Sequence, residues 1–401
     1  MSGTDDRGDD AAMTAPDAKP PQMTLPERLL WRLRDAVFAP PAPDAVGPLV
    51  VAGLFRAASG VGQAARTLAD SLEDAGVQPA RVDLSPVFGQ VDLGPDPQCG
   101  PMPDARTGTL ILHVNAPETD RALLALRRFR PQRWRIIGAW VWETSRAPEA
   151  WRRTSRRLSE IWAPSGFAAE AVRSTSDAPV LVAPYAVRPP AHLSADRAAF
   201  GVDKAAFLVV AMADGRSSFT RKNPVGAIAA FRRGLDGVRE ARLIVKLRNT
   251  DAAARRMLDA AVEGDPRIHL LDADLDDGAR WSLLASADAF ISLHRAEGFG
   301  LPIAEAMALG KPVVATGWSG NMDFMNADNA LPVTFRLTPV SDPTGRYAPD
   351  PEAVWAEPDI DDAANALKRL ASDADLRARI GACAAADAAA LRTPALPLVR
   401  P

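Results

Sequence analysis

Cysteine is scarce in this chain: among 401 residues only Cys99 and Cys383 carry a thiol. They fall in no paired pattern and at no metal-ligand spacing, which excludes a disulfide-built scaffold and suits a reducing compartment. Long apolar runs are missing too. No stretch of about 18 or more apolar residues occurs, so no segment reads as a membrane-spanning helix. The opening residues, MSGTDDRGDDAAMTAPDAKPPQ, hold no apolar core of the kind a secretory leader needs, and the expectation is a cytoplasmic protein. Charge of one sign is not in excess either: the net value of −3 gives no global reason to expect nucleic acid as a partner. There is no internal repeat and no low-complexity core.

What is present is an ordinary globular composition, 47% apolar and 24% charged, over a length that fits two domains better than one core. Residues 1–45 read as a disordered acidic tail ending in a short amphipathic helix. Leu29, Leu30, Leu33 and Val37 share a face there, with Arg28, Arg32 and Arg34 interleaved. That helix packs on the body or lies on an anionic membrane. From Pro48 the pattern changes to short strand-like runs alternating with helical ones: LVVAGLF, VQPARVDL, GTLILHVN, WRIIGAWVW, EIWAP and APVLVAPY. The Pro-bearing segment 189–202 then marks a boundary. A second series follows with AAFLVVAMAD, ARLIVKL, RIHLLD, ADAFISLH, KPVVAT and NALPV. Two such series predict an α/β protein of two Rossmann-like, doubly wound parallel-sheet domains, 46–188 and 189–401, facing across a cleft. The Ala-rich tail reads as helical from Ala363 to Arg392.

The most informative stretch is HRAEGFGLPIAEAMALGKPVVATGWSGN, residues 294–321. ADAFISLH suits a central parallel strand, and ligands of open α/β sheets bind just beyond the C-terminal ends of strands. Glu297 lies at that place. Gly298 and Gly300 let backbone approach a ligand, Pro302 suits a first helical position, and Gly310 suits a stop. The free N–H groups of a helix over 302–309 would then form an anion site. Carboxylates repel phosphate, so Glu297 and Glu305 fit sugar hydroxyls better, and one site could hold both ends of a nucleotide sugar.

Glu297-Gly-Phe-Gly-Leu-Pro-Ile-Ala-Glu305, with the following EAMALGKPVVAT, resembles the E-x7-E signature of family 4 glycosyltransferases, retaining enzymes of the GT-B fold. The resemblance covers roughly 48–370 and implies that Glu297 contacts sugar hydroxyls and Glu305 the nucleotide ribose. It implies also that the backbone of Gly298, Phe299, Gly300 and Leu301 covers sugar and diphosphate. ADGRSSFTRKNPVGAIAAF, 213–231, is similar to the family segment whose basic pair holds the diphosphate, which makes Arg216 and Lys222 the candidates and Arg221 the substitute. Ser59-Gly60-Val61-Gly62 resembles the family's glycine loop, with Gly60 and Gly62 facing the diphosphate and Gln63 and Arg66 as neighbours. Where many members carry a His-Asp loop, this chain has Trp142-Glu143. Glu143 binds acceptor or donor sugar there, or is an ordinary capping or ion-paired glutamate. Ser165 reads as a helix cap, and APYAV departs from the family's P-N-G-V, which puts Tyr185 at the hinge.

The family's chemistry implies front-face attack without a carboxylate nucleophile and without a metal. Asp276 or Asp277 in DADLDD reads as a helix cap rather than a metal ligand. His294 is within reach of the ligand but, being alone, makes no metal site. Eleven arginines and four tryptophans in 121–157 are either solvated faces plus core aromatics or a surface for an anionic membrane or a lipid-linked acceptor. The expected partners are a nucleotide-sugar donor and a saccharide or lipid-linked saccharide acceptor, with possible peripheral contact to the inner face of the membrane. Alternatives on the same fold are a sugar phosphorylase or epimerase, or a non-catalytic sugar-binding subunit of a polysaccharide assembly complex. These residues do not distinguish the donor's base or sugar.

Overall fold

In the computed structural model residues 47–126, 133–347 and 350–397 are described. The expected helix around 25–39 lies outside them. Short apolar runs become central strands because both of their faces are covered by helices. Val50, Val51 and Ala52 in β1 (Leu49–Gly53), and Leu110, Ile111 and Leu112 in β3 (Gly108–His113), are completely buried. With β2 (Ala80–Asp83), β4 (Trp134–Ala139), β5 (Glu160–Ala163) and β6 (Val180–Val182) they form a parallel sheet in the order β2-β1-β3-β4-β5-β6.

The second series builds a second parallel sheet. β7 (Phe207–Asp214) and β8 (Ala241–Arg248) pair along their whole length, flanked by β9 (Ile268–Asp272), β10 (Ala289–Ser292), β11 (Val313–Thr316) and β12 (Leu331–Val333). The order is β12-β11-β10-β7-β8-β9. The two doubly wound α/β domains expected from the alternation are present. Each sheet reverses its winding near the middle, so the strand ends around β1 and β7 open onto a crevice.

Three features depart from expectation. The Ala-rich tail is two helices, Ile360–Ser372 and Ala374–Ala388, because the Asp373 side chain accepts the Leu376 N–H and starts the second one. An antiparallel pair, β13 (Phe335–Pro339) and β14 (Val354–Pro358), follows the second sheet. Its first strand is almost wholly exposed, so it carries no burial periodicity to find. The 189–401 domain also includes a segment, Leu396 to Pro397, that packs on the first domain. After the last helix the chain returns there, where Leu396 packs against that domain's core and Arg135 donates to the Pro397 carbonyl. The outgoing and returning segments touch, with Val187 N–H donating to Leu391 O at 2.8 Å. No helix among the described residues is long and apolar enough to cross a membrane.

β1 leads through a loop into the helix Gly60–Asp74, capped by Ser59, whose hydroxyl accepts the Gly62 N–H. Gly62 lies so close to that loop that a Cβ would sit 2.3 Å from Ala57 O and 2.7 Å from Leu54 O. Gly62→Ala is therefore expected to cost about 1–3 kcal/mol. Gly60→Ala, whose Cβ would meet only Leu301 Cδ1 at 3.8 Å, is expected to leave stability unchanged. Thermal unfolding of the two variants checks this, and equal melting temperatures would contradict it.

Candidate active-site cleft

The crevice between the sheets holds a cavity of about 490 Å³ lined by both domains. Its second-domain wall is built at the end of β10. There the chain turns through Glu297 and Gly300 into the helix Leu301–Ala308, one residue earlier than expected. Gly300 takes φ +93°, which a side chain would strain, and Pro302 sits in the first turn without sacrificing a hydrogen bond. Glu297 is 6% exposed and Glu305 1% exposed, yet both line the cavity.

Buried carboxylates need partners. The short helix Phe219–Lys222 at the end of β7 supplies them for Glu297. Lys222 Nζ donates to Oε1, and Arg221 NH1 lies 3.2 Å from Oε2. Burial by itself would raise this carboxyl. The Lys222 and Arg221 charges outweigh it and hold the group down at about 2. Arg221 also donates to Ala296 O at 2.6 Å and lies 3.7 Å from Glu143 of the first domain. Glu305 is held from both sides: Gln63 of the first domain donates to Oε1, and Arg280 pairs with Oε2 at 2.5 Å.

Arg216 and Lys222, expected as a pair, are apart. Lys222 joins Glu297, whereas Arg216 pairs across the crevice with Asp92 at 3.0 Å. Arg248 lies 3.6 Å from the same carboxylate. Burial pushes Asp92 up, but hydrogen bonds from Arg216 and the Ala58 N–H, with the Arg248 charge, bring it below the usual carboxylate range. Arg221, the substitute, occupies the inner place. Gly60 lines the cavity, while Gly62 is packed beneath its own loop. Arg66 reaches the cavity wall and donates to Phe55 O and Ala57 O.

Gly298, Phe299 and Leu301 line the cavity. The Gly298 carbonyl accepts from the Ser165 hydroxyl at 2.6 Å, and Ser165 also caps the helix Gly166–Arg173 as expected. Tyr185 stands at the hinge, 5.2 Å from the Phe299 ring. His294 corrects an expectation. It is fully buried behind the loop and outside the cavity wall, and burial pushes its imidazole down to about 4. In DADLDD, Asp276 caps the helix Asp277–Ser286, Asp274 pairs with Arg248 and Asp277 with Arg280.

Among the described residues of the arginine-rich 121–157 stretch, five arginines are paired within the chain. Arg135 pairs with Glu160 and Arg157 with Asp120 in buried positions, Arg152 and Arg156 share Asp177, and Arg146 reaches Asp350 and Glu352. Trp134, Trp140 and Trp151 are core residues. For these described residues that is the arrangement of ion-paired faces over core aromatics. Asp92, Glu118, Lys246, Arg248 and Arg280 at the cleft went unread. No motif marks them, and only the packing of distant segments brings them together.

Residues 219–387 match the family model for glycosyl transferases group 1. No curated protein matches the chain in sequence. Among solved structures, it is similar to sucrose-phosphate synthase from Thermosynechococcus elongatus, with TM-score 0.61 and 16% identity over 86% of this chain and 95% of that one. Anabaena HepE in complex with UDP and glucose superimposes with TM-score 0.59 and 15% identity, covering 86% of this chain and 95% of that one. A point mutant of staphylococcal (S. aureus) TarM in complex with fondaparinux, alpha-GlcNAc-glycerol and UDP gives TM-score 0.50 and 12% identity over 70% of this chain, which spans only 51% of that longer protein. The fold is GT-B.

The depressed Glu297 pKa makes a signed prediction. A carboxyl ionising more readily when folded adds stability above its unfolded pKa, near 4.5, and loses it as pH falls through the folded value, about 2. Wild type should therefore unfold at a higher temperature than Glu297→Gln at pH 6, and the gap should close between pH 4.5 and 2. A gap that stays constant over that range would refute the pairing.

Proposed function

We propose that the chain is a retaining glycosyltransferase that moves a hexose from a nucleoside-diphosphate sugar to a saccharide or lipid-linked saccharide acceptor. The coarser part of this, a glycosyltransferase using a nucleotide sugar, is what the group 1 match supports. The observation that carries the finer part is Glu297, ionised, buried and neutralised by Lys222 and Arg221 at the mouth of a helix N-terminus. A carboxylate so paired is a weak nucleophile and a good acceptor for sugar hydroxyls.

In this reading Glu305, with Arg280 and Gln63, meets the nucleoside, while Lys222, Arg221, Arg216 and the N–H groups at Leu301 face the diphosphate. The bond from the anomeric carbon to the phosphate oxygen breaks as charge builds on the leaving group, which these donors stabilise. The acceptor hydroxyl attacks from the same face, its oxygen bonds the anomeric carbon, and its proton passes to the departing phosphate oxygen. Cationic side chains thus supply the stabilising charge, and the reading includes metal-independent turnover. Glu143 and Tyr185 border the acceptor side. Unpaired Cys99 and Cys383 suit a reducing compartment such as the cytoplasm. A role in polysaccharide or lipopolysaccharide synthesis follows by analogy with the resemblance.

Thermal-shift titration with UDP, GDP, ADP, TDP and CMP, then with the corresponding sugar nucleotides, tests the site. One base should stabilise the protein, by about 2.7 kcal/mol at a hundredfold excess over its dissociation constant. Glu305→Ala should abolish that shift. With the donor known, Glu297→Gln should lower kcat by about a hundredfold or more while the fold survives. Chelator-washed enzyme should keep its rate. Nucleotide binding without transfer to any acceptor would instead favour a sugar-binding subunit.

A further inference from the structure

Lys246 is a buried cation whose role neither the fold nor the motif explains. It stands on β8 beside Met212 of β7, close to the strand end that opens onto the cleft. The residue is 9% exposed, and what it exposes is part of the cavity wall. Its neighbours among charged groups are otherwise engaged. Arg248 holds Asp274, Asp92 and the Ala58 carbonyl, and Arg280 holds Glu305 and Asp277. Asp214 accepts from the Arg216 N–H and from Asn249. The Lys246 side chain has no hydrogen-bond or ion-pair partner among the described residues. Burial, and then the Arg248 charge, push its pKa down, which is the mark of an ammonium short of a counter-charge.

Such a group is costly to a fold, and a methionine of similar shape would fit the same half-apolar strand. A cation kept under those conditions at the floor of a cavity is shaped for an anion from outside the chain. The position narrows which anion. β8 is the neighbour of β7, whose outgoing loop carries Arg216, Arg221 and Lys222. Arg280, bound to Glu305, is near enough for its charge also to push the Lys246 pKa down, and both residues line the cavity. Lys246 thus belongs to the second-domain wall of the cleft, on which the proposed function places the donor.

We propose that Lys246 is a further donor-binding residue, whose ammonium takes a phosphate of the nucleoside diphosphate. The proposal rests on the function argued above and adds to it a phosphate-binding cation from strand β8, beside those carried by the loop after β7. It explains why the site keeps a lysine where an apolar residue would be more stable. It also requires that the phosphate, when bound, completes a pairing that the protein lacks without it.

The test compares wild type with Lys246→Met by isothermal titration, using the nucleoside diphosphate that stabilises wild type and the matching free nucleoside. The expected result has three parts. Affinity for the diphosphate falls about tenfold or more, as for loss of a hydrogen bond to a charged group. Affinity for the nucleoside is unchanged. The ligand-free variant melts at the same temperature as wild type or higher, because an unpaired buried charge has gone. Lys246→Arg, which keeps a cation, should recover part of the lost diphosphate affinity. Equal diphosphate affinity in Lys246→Met would overturn the proposal while leaving the function standing. So would an equal loss for nucleoside and diphosphate, which would make Lys246 a base-contacting or merely structural residue. A lower melting temperature without ligand would overturn it too, by showing that the lysine serves the fold. If wild type bound no nucleotide at all, the function reading would fall and this proposal with it.

Discussion

A carboxylate buried beside two cations is the fixed point of this molecule. Glu297 ties the end of β10 to the short helix after β7, because releasing it would leave Lys222 and Arg221 without their shared counter-charge in a largely buried site. Arg221 extends the same knot into the backbone, donating to Ala296 O and accepting the Arg295 N–H at its own carbonyl. Two loops from adjacent strands are thereby locked into one rigid rim. The helix after Gly300 inherits its direction from that rim, and the placement of Glu305 follows from the helix.

The opposite wall meets this rim mainly through polar contacts. Gln63 reaches Glu305, Asp92 reaches Arg216, the Ser165 hydroxyl reaches the Gly298 carbonyl, and the Gly166 N–H reaches Asp323. Aromatic contacts are few: Tyr185 against Phe299, Phe167 against Trp318 and Trp142 against Tyr347. Water can replace polar contacts at small net cost, whereas it cannot replace buried apolar area. The crevice is thus held shut by interactions that a charged ligand can take over one at a time. Asp92 is the plainest case, since its carboxylate occupies the guanidinium that the function assigns to a diphosphate.

Much of the architecture was legible in the sequence. All twelve parallel strands coincide with runs read as strands: the central ones are apolar because a strand covered on both faces has little choice of residue type, whereas edge strands such as β2 and β9 also carry charged residues. Glu297 and Glu305 were legible for a different reason: glycines, a proline and a strand end leave a local signature. The stepped tail was misread because alanine continues a helical pattern through Asp373, and only the capping bond reveals the break. β13 was missed because an exposed edge strand has no face to hide. Arg216 was preferred to Arg221 because resemblance ranks positions along a segment, whereas burial of the short Phe219–Lys222 helix is what sets Arg221 beside Glu297. Asp92, Arg248 and Lys246 carry no local signal at all. Their meaning depends on partners more than a hundred residues away or, for Lys246, on the lack of one.

The return of the chain to the first domain bears on how the crevice opens. A single linker lets two bodies twist as well as tilt. Here two strands of backbone cross the gap side by side, one leaving through Val187 and one coming back past Leu391, bonded to each other, with Leu396 anchored beyond. A doubled crossing of that kind acts as a door hinge with two pins. It permits rotation about the line through both and resists swivel about either, so the residues that face each other when the cleft is shut meet again in register each time it closes.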